Sequence, residues 1–387
     1  MKEPVTPKLR VLMLGLRGVP DVQGGIEKHV EQLAPLLAER GCEVEIVTRG
    51  LYQPSIYGSR WRGLRLSPLW APRSKSLETI VHTTLGVLYA AIRRPDVLHI
   101  HAIGPALLVP LARALGLKVV VTHHGQDYDR PKFGRLARWV LRLGESWGMR
   151  WAGARIAVSR TIHDLLRERY EREVHHIPNG VPMPAAPQAT DALESFGLQP
   201  GRYVLMVGRL DSGKRQLDLV QAFERAALDG WKLVLVGSAE YSDNYIKTLE
   251  AAASAQNIVM TGLQSGHALE QLFHHAGMFA FPSAHEGLPI ALLEALSYGL
   301  RVIASDIPAN LELGLAAQHY FPLKNVDALA ERMREFAERP LAAAEREEYR
   351  QWVAKRYDWG AIALETYAVY EELTKKSMTA GKSVATG

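Results

Sequence analysis

Short apolar runs, each separated from the next by a longer segment of helical period, constrain this chain more than any other feature. In the first half they are VLML (11–14), VEIV (44–47), VLHI (97–100), VVVT (119–122) and RIAV (155–158). In the second half they are VLMV (204–207), LVLV (233–236), IVMT (258–261), MFAF (278–281) and RVIAS (301–305). Strands that are apolar on both faces and alternate with helices belong to parallel sheets built of βαβ units. The second half restarts like the first: RVLMLGLRG (10–18) and RYVLMVGRL (202–210) both end a strand in glycine, and a helical segment and another strand follow each. At 387 residues the chain exceeds what one hydrophobic core usually serves. The expectation is two doubly wound α/β domains with a border near the Pro- and Ala-rich stretch PNGVPMPAAPQATDA (178–192). Ligands of such sheets bind beyond the carboxyl ends of the strands, so two such domains facing each other would form a cleft, with functional motifs directly after strands.

The charge balance narrows the partner. A net charge of +5 suggests an anion: nucleotide, phospholipid surface or nucleic acid. Cys42 is the only cysteine, which leaves no intramolecular disulfide and no thiolate zinc site and fits a reducing compartment. The apolar run Val11–Leu16 is too short for a signal sequence and is broken by Arg17, and no stretch reaches the length of a membrane span. A cytoplasmic protein is expected, with any membrane contact peripheral.

Two motifs in the second half carry chemistry. In HEGLPIALLEALSYG (285–299), Pro289 suits the first turn of a helix and Gly299 its stop. Every residue from Ile290 to Leu296 except Glu294 is apolar, so the helix is expected to be buried almost all round. A carboxylate there needs donors, and a ribose diol supplies them. Glu286 and Gly287 precede the helix, where free N–H groups and the dipole favour an anion such as phosphate. The plainer reading is a structural partner for Glu294 and a surface cap at Glu286. The second motif, GRLDSGKR (208–215), meets the first part of the P-loop spacing, but Arg215 stands where a magnesium-binding hydroxyl would be. Arg209 and Lys214 are better read as two cations aimed at a diphosphate, the first bidentate and the second a point charge.

In the first half, VVVTHHGQDYDRPK follows a strand. His123, His124, Asp127 and Asp129 are open to reading as a metal cluster; the preferred reading is a histidine at a strand end that donates to a reacting sugar. In PKFGRLARWVLRLGESWGMRW (131–151), Leu136, Trp139, Val140, Leu143 and Trp147 recur at helical spacing among Lys132, Arg135, Arg138, Arg142 and Arg150. Such a basic amphipathic helix suits either a core-facing stripe or an anionic membrane surface. No recognised nucleic-acid module accompanies the charge, so nucleic acid is not an expected partner. The adjacent Gly24 and Gly25 of VQGGIEKHV (22–30) mark a place where backbone turns sharply or lies against something.

Taken together, GGIEKHVEQLAPLLAERGCEV (24–44), THHGQDYDRPKFG (122–134), IPNGV (177–181), GRLDSGK (208–214) and EGLPIALLE (286–294) resemble the family 4 retaining glycosyltransferases of the GT-B fold. The likeness is greatest to the bacterial branch serving capsular, exopolysaccharide and O-antigen assembly, and runs from about residue 9 to residue 373. It implies two Rossmann-like domains facing across a cleft: an acceptor-side domain (1–185), a nucleotide-sugar domain (186–355), a helix crossing back to the first domain (356–375) and a disordered tail (376–387).

The resemblance also implies roles. Gly24 and Gly25 would lie against the donor diphosphate and sugar, and His124 would reach the sugar near the reacting carbon. Arg209 and Lys214 would hold the departing diphosphate, Glu286 would bind sugar hydroxyls, Gly287 and Leu288 would offer backbone N–H groups, and Glu294 would hold the ribose. Asp127 and Asn179 fall on the acceptor side or hinge. No metal or other cofactor is implied, and the substitution is front-face with retained configuration. Arg215 and Pro182 depart from the family pattern, which often has glycine and aspartate there. The expected function is sugar transfer from a nucleotide diphosphate sugar to a growing glycan, polyprenyl-linked at the inner membrane face. A nucleotide-sugar epimerase of the same fold and a non-catalytic nucleotide-sugar-binding scaffold are the alternatives.

Overall fold

The computed structural model describes residues 8–384 except 54–57, 75–76, 130–133, 186–188, 240–243, 255–256 and 340, with side chains through Lys375. The chain divides into two compact units, one made of the residues up to Asn179 together with those from Trp359 on, the other Gly180–Asp358. The divisions fall a few residues from positions 185 and 355, where the sequence suggested borders.

The first unit holds β1 (Leu9–Leu14), α1 (Gly25–Glu39), β2 (Cys42–Arg49), β3 (Arg60–Trp61), β4 (Leu64–Leu69), α2 (Glu78–Arg93), β5 (Val97–His101), α3 (Val109–Ala114), β6 (Val119–His123), α4 (Arg135–Trp151), β7 (Ala154–Ala157), α5 (Arg160–Tyr170) and β8 (His175–His176). Its sheet runs β3-β4-β2-β1-β5-β6-β7-β8. All pairings are parallel except β3 with β4. Central β1 is registered on both sides, Val11 against Val44 of β2 and Val97 of β5, and Val11 to Leu14 are buried. One strand in from the edge, Leu64 and Leu66 of β4 turn inward while Arg65 turns out, so this strand lacks the two-sided apolar run that marks the others.

The second unit holds α6 (Asp191–Ser195), β9 (Tyr203–Val207), α7 (Gln216–Ala226), β10 (Lys232–Val236), α8 (Asn244–Ala252), β11 (Ile258–Gly262), α9 (Gly266–His274), β12 (Met278–Phe281), α10 (Ile290–Ser297), β13 (Val302–Ser305), α11 (Pro308–Leu311), β14 (Tyr320–Phe321), α12 (Val326–Glu338) and α13 (Ala343–Arg356). Its sheet is parallel throughout in the order β11-β10-β9-β12-β13-β14. Val204, Met206, Leu233 and Leu235 meet Phe223 of α7 and Met333 of α12 in its core. Pro289 caps α10 from outside the helix rather than occupying its first turn.

The last helix, α14 (Trp359–Val384), belongs to the first unit and lays Trp359, Ile362, Ala363 and Tyr370 into the same core as Val30, Leu33 and Leu37 of α1. It continues past residue 375, where the sequence reading began a disordered tail. The stretch Leu373 to Met378 holds mostly good helix formers, and neither Gly nor Pro interrupts it. Residues 385–387 of that expected tail lie outside the described residues.

Candidate active site

Each sheet has one topological switch. β1 lies between β2 and β5, and β9 between β10 and β12, so successive connections leave in opposite directions and open a ligand crevice at the strands' carboxyl ends. The chain bordering these crevices is 15–24 and 102–104 in the first unit, and 208–215 and 282–289 in the second. Most of the residues singled out from sequence lie on these segments or on the helices they lead into.

In the second unit, the Asp211 carboxylate accepts from the N–H of Gly213 at 2.9 Å and the Asp211 carbonyl from that of Lys214 at 2.9 Å, a tight turn that presents Lys214. Arg215 enters α7 with φ 56° and is held by Asp218 at 2.7 Å, while Gln216 donates to the Arg209 carbonyl at 2.8 Å. The Ala284 N–H donates to the Gly213 carbonyl at 2.8 Å and joins the two loops. Across that joint Lys214 Nζ pairs with Glu286, which also accepts from the Ser283 hydroxyl, and the ammonium lies 5.0 Å from the centre of the Phe281 ring. Two residues assigned separately from sequence are thus partners, with side chains only 18% and 11% exposed.

Gly287 is half-buried and Leu288 buried ahead of α10. The expectation of nearly all-round burial for α10 does not hold. Ile290, Ala291, Glu294 and Tyr298 are all half-buried and share one face at helical spacing, so Glu294 sits on a partly open stripe. Composition showed a single charge among apolar residues; it did not show that the apolar residues beside it also face outward.

In the first unit, the chain leaving β1 hugs the end of β5: a Cβ on Gly15 would lie 2.3 Å from the His101 carbonyl oxygen. The two glycines at the start of α1 differ. A Cβ on Gly24 would meet Glu27 Oε2 at 1.9 Å, and Glu27 is buried and fixed by the Arg17 guanidinium at 3.1 Å. A Cβ on Gly25 would have no described atom within 4 Å. Gly24 therefore serves local packing, whereas Gly25 borders open space at a helix start that no side chain caps among the described residues.

One turn beyond Gly25, His29 points inward and its Nδ1 donates to Asn179 Oδ1 at 2.8 Å, which places Asn179 buried in the first unit. His29, His99, His101 and His124 form a cluster. His101 Nδ1 lies 3.1 Å from His124 Nε2, and the His99 ring joins Tyr370 of α14 and Thr122 of β6, each at 2.6 Å. Sequence reasoning found only His124. The HIH of β5 held a signal for two others, since strand alternation puts His99 and His101 on one face; His29 lies in the buried stripe of α1 with Val30 and Leu33.

Burial depresses the whole cluster. It lowers His29 to about 4 despite the Asn179 bond, and His99 to about 3 with help from His29. Burial and the neighbouring histidines also hold His101 and His124 well below 6.5. At neutral pH His124 is an uncharged imidazole that exchanges hydrogen bonds without adding a cation.

Acid should therefore weaken the fold. An unfolded histidine takes its proton near pH 6.5, while folded His29 and His82, both at about 4, resist it. Stability is complete above pH 6.5 and falls between 6.5 and about 4, by on the order of 3 kcal/mol per histidine. Urea midpoints measured from pH 7.5 to 4 should show that slope, and a flat profile would contradict it.

His123 does not join a metal cluster with Asp127 and Asp129. Its Nε2 lies 3.1 Å from Glu145 of α4, which also accepts from Arg169 and Tyr170, each at 2.8 Å. Asp127 instead opens a single 3-10 turn. Burial alone would raise the Glu145 carboxyl, but His123, Tyr170 and Tyr128 outweigh it and bring it down to about 2. Glu145→Ala removes the shared acceptor of this buried set and should cost about 3 kcal/mol or more in denaturant unfolding; a loss under about 1 kcal/mol would show that the network adds little.

The apolar stripe expected on α4 is not its buried face. Gly144, Glu145, Gly148 and Met149 are buried, whereas Leu136 and Trp139 are 74% and 61% exposed. A Cβ on Gly144 would strike the Ile103 carbonyl at 2.1 Å and one on Gly148 the Ala106 methyl at 2.9 Å. Close approach through glycines turns the large residues outward, an arrangement invisible to a count of apolar positions. Residues 131–133 of that segment lie outside the described residues.

Two parallel-sheet α/β units with loops of this kind at their switch points define a GT-B protein. The sucrose-phosphate synthase of Thermosynechococcus elongatus superposes with a TM-score of 0.81 at 21% identity, over 95% of this chain and 100% of that one. Residues 23–183 match the family described as Glycosyltransferase Family 4, and residues 193–358 match Glycosyl transferases group 1. The chain belongs to the family 4 glycosyltransferases. It is similar to alpha-maltose-1-phosphate synthase of Mycobacterium tuberculosis (strain CDC 1551 / Oshkosh), 28% identical over 94% of this chain and 100% of the relative. It is also similar to GDP-mannose:cellobiosyl-diphosphopolyprenol alpha-mannosyltransferase of Komagataeibacter xylinus, 27% identical over 76% of this chain and 75% of the relative.

Proposed function

We propose that this glycosyltransferase moves a sugar from a nucleotide diphosphate donor to a growing, polyprenyl-linked glycan of a bacterial surface polysaccharide, with retained configuration and without a metal. The observation that carries the reading is the Lys214–Glu286 pair at the second sheet's switch point. An incoming diphosphate exchanges places with Glu286 around the ammonium, and the freed carboxylate accepts from hydroxyls of the transferred sugar. Arg209 adds the second cation, and the N–H groups of Gly287 and Leu288 precede the α10 N-terminus, where a dipole favours anions. Glu294, on the half-open stripe of α10, holds the ribose. As the bond from the anomeric carbon to the diphosphate oxygen breaks, these groups stabilise the charge on that oxygen. The acceptor hydroxyl bonds to the same carbon on the same face, and its proton passes to the departing diphosphate. His124 contributes a neutral hydrogen bond to the sugar, and Gly25 lets the α1 backbone close on it.

The lipid-linked acceptor draws support from the name of the Komagataeibacter xylinus relative, and from Leu136 and Trp139 standing exposed on a helix that also carries Arg135, Arg138, Arg142 and Arg150. Among the described residues, no helix is long and apolar enough to cross a membrane. The proposed reaction places the enzyme in the cytoplasm, peripheral to the inner membrane face. Vesicles containing anionic lipid should bind the protein in a salt-sensitive manner, and each of Arg135→Ala and Arg142→Ala should weaken binding about fivefold. Equal binding to neutral vesicles at high salt would contradict this.

The deciding experiment screens UDP-, GDP- and dTDP-sugars for nucleotide release with a polyprenyl-linked acceptor and excess chelator, and assigns the product anomer by NMR. Retained configuration with chelator present is expected. Sugar interconversion without acceptor would mean an epimerase, and nucleotide binding without turnover a scaffold.

A further inference from the structure

His29, His101 and His124 reach one place from three elements: the buried face of α1, the end of β5 and the loop after β6. Each offers a ring nitrogen, and the three lie within 4.8 Å of one another. Among the described residues, His29 Nε2 is buried without a hydrogen-bond partner, and His101 turns its Nδ1 toward His124 Nε2. The His29 ring is turned so that Nδ1–H meets the Asn179 carbonyl oxygen, which leaves its Nε2 lone pair aimed into the cluster. A second-sphere carbonyl that fixes the tautomer of a ligating imidazole is the usual support of a metal-bound histidine.

We infer that His29, His101 and His124 form a binding site for one late first-row divalent cation, zinc above all. Imidazole nitrogens suit zinc, copper and nickel rather than magnesium or calcium. Zinc–nitrogen bonds of about 2.0–2.1 Å put tetrahedral ligand atoms about 3.4 Å apart. The His101 and His124 nitrogens, at 3.1 Å, already stand near that spacing. The widest gap closes by about 1.4 Å at most, and His124, just past the end of β6 and only half-buried, gives the cluster its most open member. Three protein ligands leave a fourth position open to water or an anion. His123 is committed to Glu145 and His99 to Tyr370 and Thr122, so neither competes for the ion.

The consequence for turnover rests on the role proposed for His124: an ion bound to that imidazole removes its hydrogen bond to the donor sugar, so the site is inhibitory. Binding itself does not depend on that role, and the two parts separate in one set of measurements. The full chain, freed of metal with chelator and desalted, is titrated with zinc by calorimetry and with cobalt(II) by visible absorption. One ion per chain is expected, with the intense bands of low-coordinate cobalt, and His29→Gln should weaken affinity at least tenfold. The double substitution His274→Gln and His275→Gln, which alters a half-buried histidine pair at the end of α9, should leave affinity unchanged. If it abolishes binding, or if the wild-type protein takes up no ion, the inference is overturned. X-ray absorption at the zinc edge on the wild-type protein guards against a misfolded variant: three imidazole nitrogens are expected, and one or none would overturn the site. Stoichiometric binding without inhibition would preserve the site and remove the role assigned to His124.

Discussion

Lys214→Ala should lower turnover by about 10²- to 10³-fold, a loss of roughly 3–4 kcal/mol of transition-state stabilisation. The cation neutralises charge that appears on the diphosphate only as the glycosidic bond breaks, so kcat falls more than nucleotide affinity. Folding should suffer far less. Glu286 keeps the Ser283 hydroxyl when Lys214 is gone, and the destabilisation should stay below about 2 kcal/mol. Lys214→Arg keeps the charge but not the reach of the point cation and should recover part of the rate. Nucleotide release at saturating donor, measured beside a urea melt, separates these effects. A Lys214→Ala enzyme with full kcat would remove the diphosphate from Lys214 and leave the pair with Glu286 purely structural.

Gly25→Val should abolish turnover while leaving fold and nucleotide affinity in place. The new side chain enters space that no described atom occupies, so the melting midpoint should move by no more than about 1 kcal/mol equivalent. If the backbone at the α1 N-terminus approaches the sugar and diphosphate, that side chain occupies the ligand's place. Gly24→Val is the informative contrast: its Cβ strikes the Glu27 carboxylate held by Arg17, so it should lose stability as well as activity. Calorimetry with nucleotide and initial-rate assays on both variants decide the matter. An active Gly25→Val enzyme would show that the glycine pair serves packing alone.

The apolar strands were legible because parallel strands are covered on both faces and announce themselves as continuous runs. The shortest strands and β4 were not. β3, β8 and β14 are only two residues long, and β4 alternates inward leucines with an outward arginine. The motif loops were legible as candidates because strand, glycine and charge occur together, yet their pairings were hidden. Lys214 and Glu286 are 72 residues apart, and His29 and Asn179 150 apart. Nothing local marks such partners. For α4 the period was legible but the packed face was not, because Gly144 and Gly148 draw the backbone close where large residues are usually expected to pack.

The position of α14 orders events during synthesis. The first unit leaves the ribosome first, but His99, deep in its sheet, receives its Tyr370 hydroxyl from 271 residues downstream, and α1 meets Ile362, Ala363 and Tyr370 only then. The whole second unit is translated in between. A nascent chain therefore carries an unfinished first core, with the α1 face exposed, until the residues beyond Asp358 have been made. A stop codon at position 359 would leave the second unit's sequence whole and the first without part of its core.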